Sequence, residues 1–258
     1  MRKNRGYKIA IVVLSLIIIL QGLFIITTRP KKAPRIPAVI KGKIAIVLDD
    51  WGYNLNNLSI LDQIKYPLTV SILPNLNYSR IVAEEMHKRG FEIILHLPME
   101  PREKYRLERN TIMVSFDEAT IQNIIEQDLA NIPYVKGVSG HMGSRATEDG
   151  RTMEIVCKEL KKRYLYFLDS LVSPRSVCSD ISRRMALGFA KRDVFLDNKE
   201  DPEYIRGQIN KLKLRARARG RAIGIGHDRK VTLEVLKEVM PELAREGYKF
   251  VFVSELIK

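Results

Sequence analysis

Polar side chains that can bind a metal ion or transfer a proton follow many of the apolar runs in this chain. The first such run, residues 44–48, ends in two adjacent carboxylates, Asp49 and Asp50. Later runs end in the same kinds of residue: His96, His141, Asp169, Asp197 and His227. Imidazole and carboxylate groups suit Zn²⁺ and similar divalent ions, and they also serve as general acids and bases. The pattern therefore indicates a catalytic centre.

The adjacent carboxylates suggest how the roles are divided. Two like charges at one strand end repel each other unless a cation neutralises one of them, so we expect Asp50 to bind a metal ion and Asp49 to act as the general base. Imidazoles of His96 and His141 would complete a three-ligand site for Zn²⁺ or a similar ion, with a position left for water. Across the same rim, His227 would protonate the leaving group as the general acid.

Strand-like runs alternate with helical stretches from residue 43 onward. The runs cover 43–49, 68–73, 91–97, 135–140, 164–169, 193–197, 221–226 and 249–253. Between them apolar residues recur at helical spacing, and the last helix is predicted to start with Thr232 as its N-cap and to stop at Gly247. Eight strands alternating with helices predict an α/β fold with a parallel sheet, either a barrel or a doubly wound open sheet. In both folds the carboxyl ends of the strands gather at one edge, where the polar residues fall.

The order of the motifs LDDWG, HLPMEP, GHMGSR, FLDS, RDVFLDN and IGH resembles the divergent polysaccharide deacetylase family, a distant branch of the NodB-like carbohydrate esterases. The resemblance covers residues 43–258 and implies a distorted (β/α) barrel of seven to eight parallel strands. Its better-known relatives remove acetyl groups from N-acetylated sugars with a divalent metal ion. In them a strand-end Asp pair supplies the base and a metal ligand, which match Asp49 and Asp50. A late Leu-x-His motif supplies the acid, which matches His227.

The chain departs from that pattern at one ligand position. NodB-like enzymes take two ligands from a His-x-x-x-His segment, and here the corresponding segment is HLPME, from His96 to Glu100. Either Glu100 replaces the second His, or His141 does so from the segment where those relatives have an Arg-Pro motif. We favour His141, because Pro98 constrains the loop before Glu100 and a glycine-flanked His is free to approach a metal ion.

Several other residues admit two interpretations. The only tryptophan, Trp51, could stack on a sugar ring or pack in the core, and Arg192 with Asp193 could form an ion pair or orient the rim. Cys157 lies at an apolar-periodic position, which favours a core residue over a disulfide. The basic run at 211–221 is typical of a solvated helix face, although it could also contact anionic lipids or an anionic polymer.

An uncharged apolar run covers residues 9–28. A helix of that length, at ~1.5 Å per residue, spans the ~30 Å core of a bilayer. A signal peptide has a shorter apolar stretch of ~7–15 residues before a small-residue cleavage site. We therefore predict a transmembrane anchor within residues 1–28, a Pro/Lys-rich linker at 29–42 and a domain at 43–258 that faces the periplasm or the cell exterior. The alternative is a cleaved signal sequence and a secreted domain.

The net charge does not support binding to nucleic acid. Residues 1–43 hold ten Lys and Arg and no Asp or Glu, so they account for most of the formal charge of +14. The remaining 34 basic and 30 acidic residues leave the domain at about +4, which is ordinary for a globular domain.

The sequence thus predicts a membrane-anchored, metal-dependent deacetylase, an amide or ester hydrolase, that acts on an envelope polysaccharide such as peptidoglycan. The alternative is a catalytically inactive domain of the same NodB-like fold that binds glycan or a partner protein in the cell envelope. The altered ligand segment between His96 and Glu100 is what keeps that alternative open.

The anchor can be tested by cell fractionation. Full-length protein is expected to sediment with membranes and to resist alkaline carbonate extraction, because the run at 9–28 carries no charge. Protein that begins at Lys43 is expected to remain in the soluble fraction. A processed, freely soluble mature protein would instead show that the run is a cleaved signal.

Overall fold

A sheet of parallel strands with helices on its outer face forms the part of the chain that the structure describes. The computed structural model describes residues 13, 14, 21 and 40–257, and residues 39–258 form one compact unit. The strands are β1 Gly42–Trp51, β2 Thr69–Ile72, β3 Glu92–Met99, β4 Val135–Met142, β5 Tyr166–Asp169, β6 Phe189–Lys191, β7 Val194–Phe195, β8 Arg221–His227 and β9 Tyr248–Phe250. The α-helices are α1 Leu58–Leu61, α2 Ser79–Lys88, α3 Glu118–Asn131, α4 Gly150–Lys162, α5 Cys178–Met185, α6 Pro202–Arg219 and α7 Lys230–Arg245. Two 3₁₀ helices cover Ala146–Glu148 and Val253–Leu256.

The sheet is a curled half-barrel. Its strand order is β6-β5-β4-β3-β2-β1-β8-β7, and β9 pairs with the start of β1 off this path. Within the described residues β6 and β7 end the sheet without pairing with each other, so the barrel stays open there. The prediction of a distorted barrel of seven to eight parallel strands is confirmed. The short strand β6 was missed, because its three residues directly precede the run predicted at 193–197.

Both faces of the sheet are buried, which explains the continuous apolar runs. On β1, Ile44, Ile46 and Leu48 pack in the outer layer under the helices, whereas Ala45 and Val47 face the interior of the curl. This alternation is the two-residue period of a strand, with apolar side chains on both faces. Every residue of the two core clusters lies between Ile44 and Ile257, so the domain carries its own core.

The last helix begins earlier than predicted. Arg229 occupies the N-cap position of α7 without a side-chain cap, and Thr232 lies buried in the first turn. Its hydroxyl donates a hydrogen bond to Asp197 Oδ2 at 2.7 Å, so a tertiary contact takes the place of the predicted cap. Gly247 follows the end of the helix with φ of 99°, a left-handed conformation that glycine adopts without strain.

The cysteines and the N-terminal segment bear on the remaining structural predictions. Cys157 and Cys178 are buried free thiols, and Cys157 packs in the core as expected. No helix in the described part of the chain is long and apolar enough to cross a membrane. The predicted anchor lies outside the described residues except for Val13, Leu14 and Gln21, and so does the linker up to residue 39.

A buried carboxylate on α3 joins two loops to that helix. Asp128 Oδ1 accepts hydrogen bonds from Asn75 Nδ2 at 2.7 Å and from Asn110 Nδ2 at 3.2 Å, whereas Oδ2 is buried without a partner. Burial raises the pKa of Asp128 to about 6, because two amide donors replace the lost water only in part.

Replacing Asp128 by Asn is expected to change how stability depends on pH. Since the folded state holds the proton up to about pH 6 and the unfolded state only to about 3.8, the wild type gains stability as pH falls through this window. When the pH is lowered from 7.5 to 4.5, the free energy of unfolding of the wild type should rise by about 2 kcal/mol relative to that of Asp128→Asn. Urea unfolding at both pH values measures this difference. Asp180→Asn, an exposed control on α5, should track the wild type, and a constant difference for Asp128→Asn would contradict the burial argument.

Candidate metal centre

Four strands bring the predicted chemical groups to one rim of the half-barrel. Asp49 and Asp50 end β1, His96 lies on β3, His141 on β4 and His227 on β8. Asp49 and His227 are direct neighbours across the β1–β8 pairing. The rim is the carboxyl edge of the sheet, as the predicted topology required.

A backbone irregularity lets both adjacent carboxylates face this rim. Successive residues of a regular strand point to opposite faces. Here the pairing of β1 with β2 shifts register between Leu48 and Trp51, and Asp50 adopts φ of 65°. Left-handed backbone is uncommon outside glycine but tolerated by Asp. As a result Asp50 Oδ1 lies 3.2 Å and Asp49 Oδ2 lies 3.8 Å from the same atom, His96 Nε2.

Three side chains converge with the spacing of metal ligands. Asp50 Oδ1 lies 3.2 Å from His96 Nε2 and 3.1 Å from His141 Nδ1, and one ligand atom from each residue falls within 4.8 Å of the others. Neighbouring ligands of a tetrahedral Zn²⁺ with bonds of ~2.0–2.1 Å lie ~3.3 Å apart. Asp50 Oδ1 is buried and has no polar neighbour assigned to it other than these two imidazole nitrogens. The arrangement fits a divalent ion better than a hydrogen-bonded cluster.

A chain of hydroxyl groups supports the His96 ring. His96 Nδ1 lies 2.9 Å from Ser139 Oγ, which lies 2.7 Å from Ser71 Oγ, and all three residues are buried. When Nδ1–H donates to Ser139, the lone pair of Nε2 remains for a cation. This second contact fixes the ring in the orientation and tautomer that a ligand needs.

The electrostatics of the rim call for local positive charge. Burial opposes ionisation of Asp50, but the imidazoles of His141 and His96 outweigh it and hold the pKa of Asp50 below its usual value. Burial raises the pKa of Asp49, and the neighbouring charge of Asp50 adds to that increase. Burial disfavours the charged form of His96, yet Asp49 and Asp50 raise its pKa overall. In the absence of a metal ion, protonated imidazoles supply positive charge to these carboxylates. A bound metal ion would supply that charge in their place.

A separate His–Asp pair lies beside the three ligands. His227 Nδ1 is 2.9 Å from Asp197 Oδ1, while its backbone N–H donates to Asp197 Oδ2 at 2.8 Å. Burial opposes protonation of His227, but Asp197 together with the rim carboxylates raises its pKa. Phe195 packs on the ring with 5.1 Å between centroids, and the guanidinium of Arg192 covers Phe195. His227 Nε2 is thereby left facing the centre, 3.9 Å from Asp50 Oδ2.

Glu100 is engaged elsewhere. Its Oε1 accepts a hydrogen bond from Arg145 Nη1 at 2.7 Å, and its Oε2 accepts one from Val114 N at 2.6 Å. It is therefore not among the converging atoms, and the geometry favours His141 over Glu100 as the third ligand. Asp169, at the end of β5, is also occupied, because it accepts hydrogen bonds from Leu171 N and Ser176 Oγ.

Some predicted rim residues have other environments. Trp51 is fully buried in the core, so its ring is not exposed for a sugar to stack on. Arg192 donates to the carbonyls of Ser170 and Leu171 rather than pairing with Asp193. The exposed aromatic ring at the end of β1 is instead Tyr53, whose hydroxyl donates to Glu108 at 2.5 Å. Its position directly after the LDDWG motif is the signal that could have identified it.

Comparisons with known proteins agree with the fold and the motifs. The model of the family described as divergent polysaccharide deacetylase matches residues 46–257. The uncharacterized protein YibQ of Escherichia coli K12 is 35% identical over 205 residues, which cover 80% of this chain and 64% of that protein. The match thus spans less than two thirds of the length of this relative.

Solved structures share the fold at low sequence identity. The uncharacterized protein ATU2773 from Agrobacterium tumefaciens C58 has a TM-score of 0.80 and 22% identity, covering 83% of this chain and 89% of that chain. The Bc1960 peptidoglycan N-acetylglucosamine deacetylase has a TM-score of 0.56 and 13% identity, covering 85% and 89%. A mutant of BA3943, described as a CE4 family pseudoenzyme with restored activity, has a TM-score of 0.51 and 16% identity, covering 85% and 68%. At these identities the likeness concerns the fold alone.

The third ligand can be identified by substitution. His141→Ala is expected to abolish stoichiometric Zn²⁺ binding, because it removes an atom 3.1 Å from Asp50 Oδ1. Glu100→Gln should retain most of the metal, because its carboxylate already holds Arg145 and Val114. Metal content after dialysis measures both, with His87→Ala as the control, since that imidazole stacks on Tyr134 away from the rim. Loss of metal in Glu100→Gln with retention in His141→Ala would move the third ligand to Glu100.

Proposed function

The chain belongs to the divergent polysaccharide deacetylase family, and we propose that it is a metal-dependent deacetylase, an amide or ester hydrolase, that acts on an envelope polysaccharide such as peptidoglycan. The observation that carries this proposal is the convergence of Asp50, His96 and His141 beside a buried carboxylate and a His–Asp pair. These are the parts that hydrolysis of an acyl group needs: a metal site, a base and an acid.

The proposed metal ligands are Asp50, His96 and His141. A bound Zn²⁺ or similar ion would polarise the acyl carbonyl and lower the pKa of water. The protein contributes a rigid set of donors: Ser139 orients His96, and the bulge in β1 directs Asp50 toward both imidazoles. Three protein ligands leave room for water and substrate, which is the pattern of a catalytic site.

Asp49 is the proposed general base. Its Oδ1 is buried without a hydrogen-bond partner, so this oxygen is available to accept a proton. Burial raises the pKa of Asp49, which makes the ionised carboxylate a better proton acceptor than one in water. Its Oδ2 lies 3.8 Å from His96 Nε2, so a water molecule at the centre would lie within reach of the base.

His227 is the proposed general acid. Asp197 fixes Nδ1 and stabilises the protonated ring, which leaves Nε2–H directed at the centre. Hydrogen bonds from the backbone of His227 and the hydroxyl of Thr232 hold Asp197 in turn. A leaving amine or alkoxide departs more readily when such a group supplies a proton.

The proposed substrate and location rest on a structural neighbour, an exposed aromatic ring and the N-terminal apolar run. The Bc1960 protein, which shares the fold, is described as a peptidoglycan N-acetylglucosamine deacetylase. Tyr53, three residues after Asp50, offers an exposed ring that could contact a sugar. The apolar run at 9–28 supports a membrane-anchored domain facing the periplasm or the cell exterior, with secretion after signal cleavage as the alternative.

A second candidate function is binding without catalysis. Glu100 stands where NodB-like relatives have a second ligand His, and its carboxylate points to Arg145. The fold also occurs in BA3943, described as a pseudoenzyme. Such a domain would bind glycan or an envelope protein and release no acetate. Turnover of the unmutated protein distinguishes the two candidates.

Replacing Asp49 or Asp50 by Asn should have different effects on metal affinity and on turnover. Asp50→Asn removes an anionic ligand, so metal affinity and activity should both be lost. Asp49→Asn should keep the metal, because the three converging side chains are untouched. Its turnover should nevertheless fall by ~10²–10⁴-fold, the usual contribution of a positioned base. Metal analysis and acetate release from N-acetylglucosamine oligomers measure both effects.

Asp180→Asn provides the control, since this exposed carboxylate on α5 lies outside the rim. Equal metal loss in the Asp49 and Asp50 variants would make the pair a joint ligand. Full turnover of Asp49→Asn would exclude it as the base. Stoichiometric metal without acetate release from any glycan by the unmutated protein would favour the binding function.

A further inference from the structure

A groove crosses the end of the half-barrel at which the strands begin, opposite the metal centre. Four neighbouring cavities of about 500, 520, 700 and 260 Å³ form it. Adjacent cavities share lining residues: Tyr164 joins the first two, Gly188 the next two and Arg221 the last two. Tyr164 precedes β5, Gly188 precedes β6 and Arg221 begins β8, so the groove follows these strand starts. It also runs along the three-residue strand β6 to Lys191 at its end.

The charge of this groove is strongly one-sided. Eight Lys and Arg residues line the four cavities, whereas Asp193 is their one carboxylate among the described residues. Asp193 is itself engaged by Arg219 and by the backbone N–H of Ile223. Four of the eight cations pair with carboxylates, namely Lys158, Lys162, Arg183 and Arg219. The other four, Lys136, Lys161, Lys191 and Arg221, have no carboxylate partner among the described residues, so they give the groove a local excess of positive charge.

An exposed aromatic ring lies among these cations. Tyr164 is 97% exposed and holds a left-handed backbone conformation with φ of 58°, two residues after the end of α4. Lys161 and Lys162 precede it, and the apolar residues Leu187 and Ile257 line the floor of the groove beside it. Tyrosine rings are enriched at the depth of the lipid headgroups in membranes. A tyrosine that lies between lysines and next to an apolar surface is therefore suited to contact headgroups.

The chain that precedes the domain leads to the same end. β1 begins at Gly42, and Lys43 pairs in register with Arg221, which lines the groove. Residues 29–41 carry five Lys and Arg and no acidic residue, so like charge disfavours this segment as the occupant of the groove. If residues 9–28 span a bilayer, the segment 29–41 can hold the start of β1 no farther than ~47 Å from its surface, at a maximum of ~3.6 Å per residue.

We infer that this basic face, defined by Lys136, Lys161, Tyr164, Arg183, Lys191 and Arg221, docks on anionic phospholipid headgroups. Docking would direct the metal centre at the opposite rim away from the bilayer. The charge complementarity and the position of Tyr164 carry the inference. It does not depend on whether the centre is catalytic, because no residue of the basic face belongs to the centre.

Vesicle binding by residues 39–258, which carry their own core, tests the inference. The domain is expected to cosediment with vesicles of phosphatidylcholine mixed with phosphatidylglycerol and not with phosphatidylcholine alone. Binding should weaken as salt is raised, because screening shortens the reach of each charge. Replacing Lys136, Arg183 and Lys191 by Glu should lower the partition coefficient by roughly tenfold or more.

The matched control reverses three exposed charges at the other end of the fold: Lys104, Arg109 and Lys230. It has the same net charge as the first variant and should bind almost as the wild type does. If both variants lost vesicle binding equally, the effect would be one of net charge, and the assignment to the basic face would be overturned. Absence of vesicle binding together with binding to soluble polyaspartate would overturn it in favour of an acidic protein partner. Circular dichroism of both variants verifies that they fold.

Discussion

The arrangement of the rim follows from two adjacent carboxylates at the end of one buried strand. Asp49 and Asp50 lie on β1, which is flanked by β2 and β8 and therefore lies well inside the sheet. Like charges held there are costly unless positive charge stands next to them. The neighbouring strand ends supply it as imidazoles, with His96 and His141 toward Asp50 and His227 in register with Asp49. A divalent ion would meet the same need more completely, which links the burial of the pair to the chemistry proposed for it.

The curl of the sheet is what allows these groups to meet. β4 and β1 are separated by β3 and β2, so in a flat sheet with ~4.8 Å between strands they would lie ~14 Å apart. Yet His141 Nδ1 on β4 lies 3.1 Å from Asp50 Oδ1 on β1. Side chains reach this far because the half-barrel bends the strand ends toward a common point. The interior filling of Val47, Ile94 and Ile225 maintains that bend, so the core positions the site directly.

The sequence was sufficient to predict the strand ends and their polar residues, because apolar runs and single His or Asp residues can be read without tertiary information. It did not predict the left-handed Asp50, since a bulge depends on how β1 pairs with β2. For a related reason, the sequence left the environment of Trp51 undecided and wrongly predicted Thr232 as the N-cap of the last helix. Whether an amphipathic side chain points to the rim or the core, and whether a hydroxyl caps its own helix or bonds to Asp197, depends on packing from other elements.

The cations of the basic face do not pair with the carboxylates of the rim among the described residues, whose rim pairs are all with imidazoles. Along β1, ten residues at ~3.3 Å each separate the strand start from the rim by ~30 Å, whereas Lys191, which pairs in register with Asp169, lies nearer to the rim. Screening at physiological salt acts over ~8 Å, so the cations at the strand starts do little for the carboxylates at the rim. Asp49 and Asp50 must therefore be neutralised locally, by imidazoles or a bound ion. The basic face is correspondingly unnecessary for the stability of the centre, which makes an external anionic surface a better explanation for it.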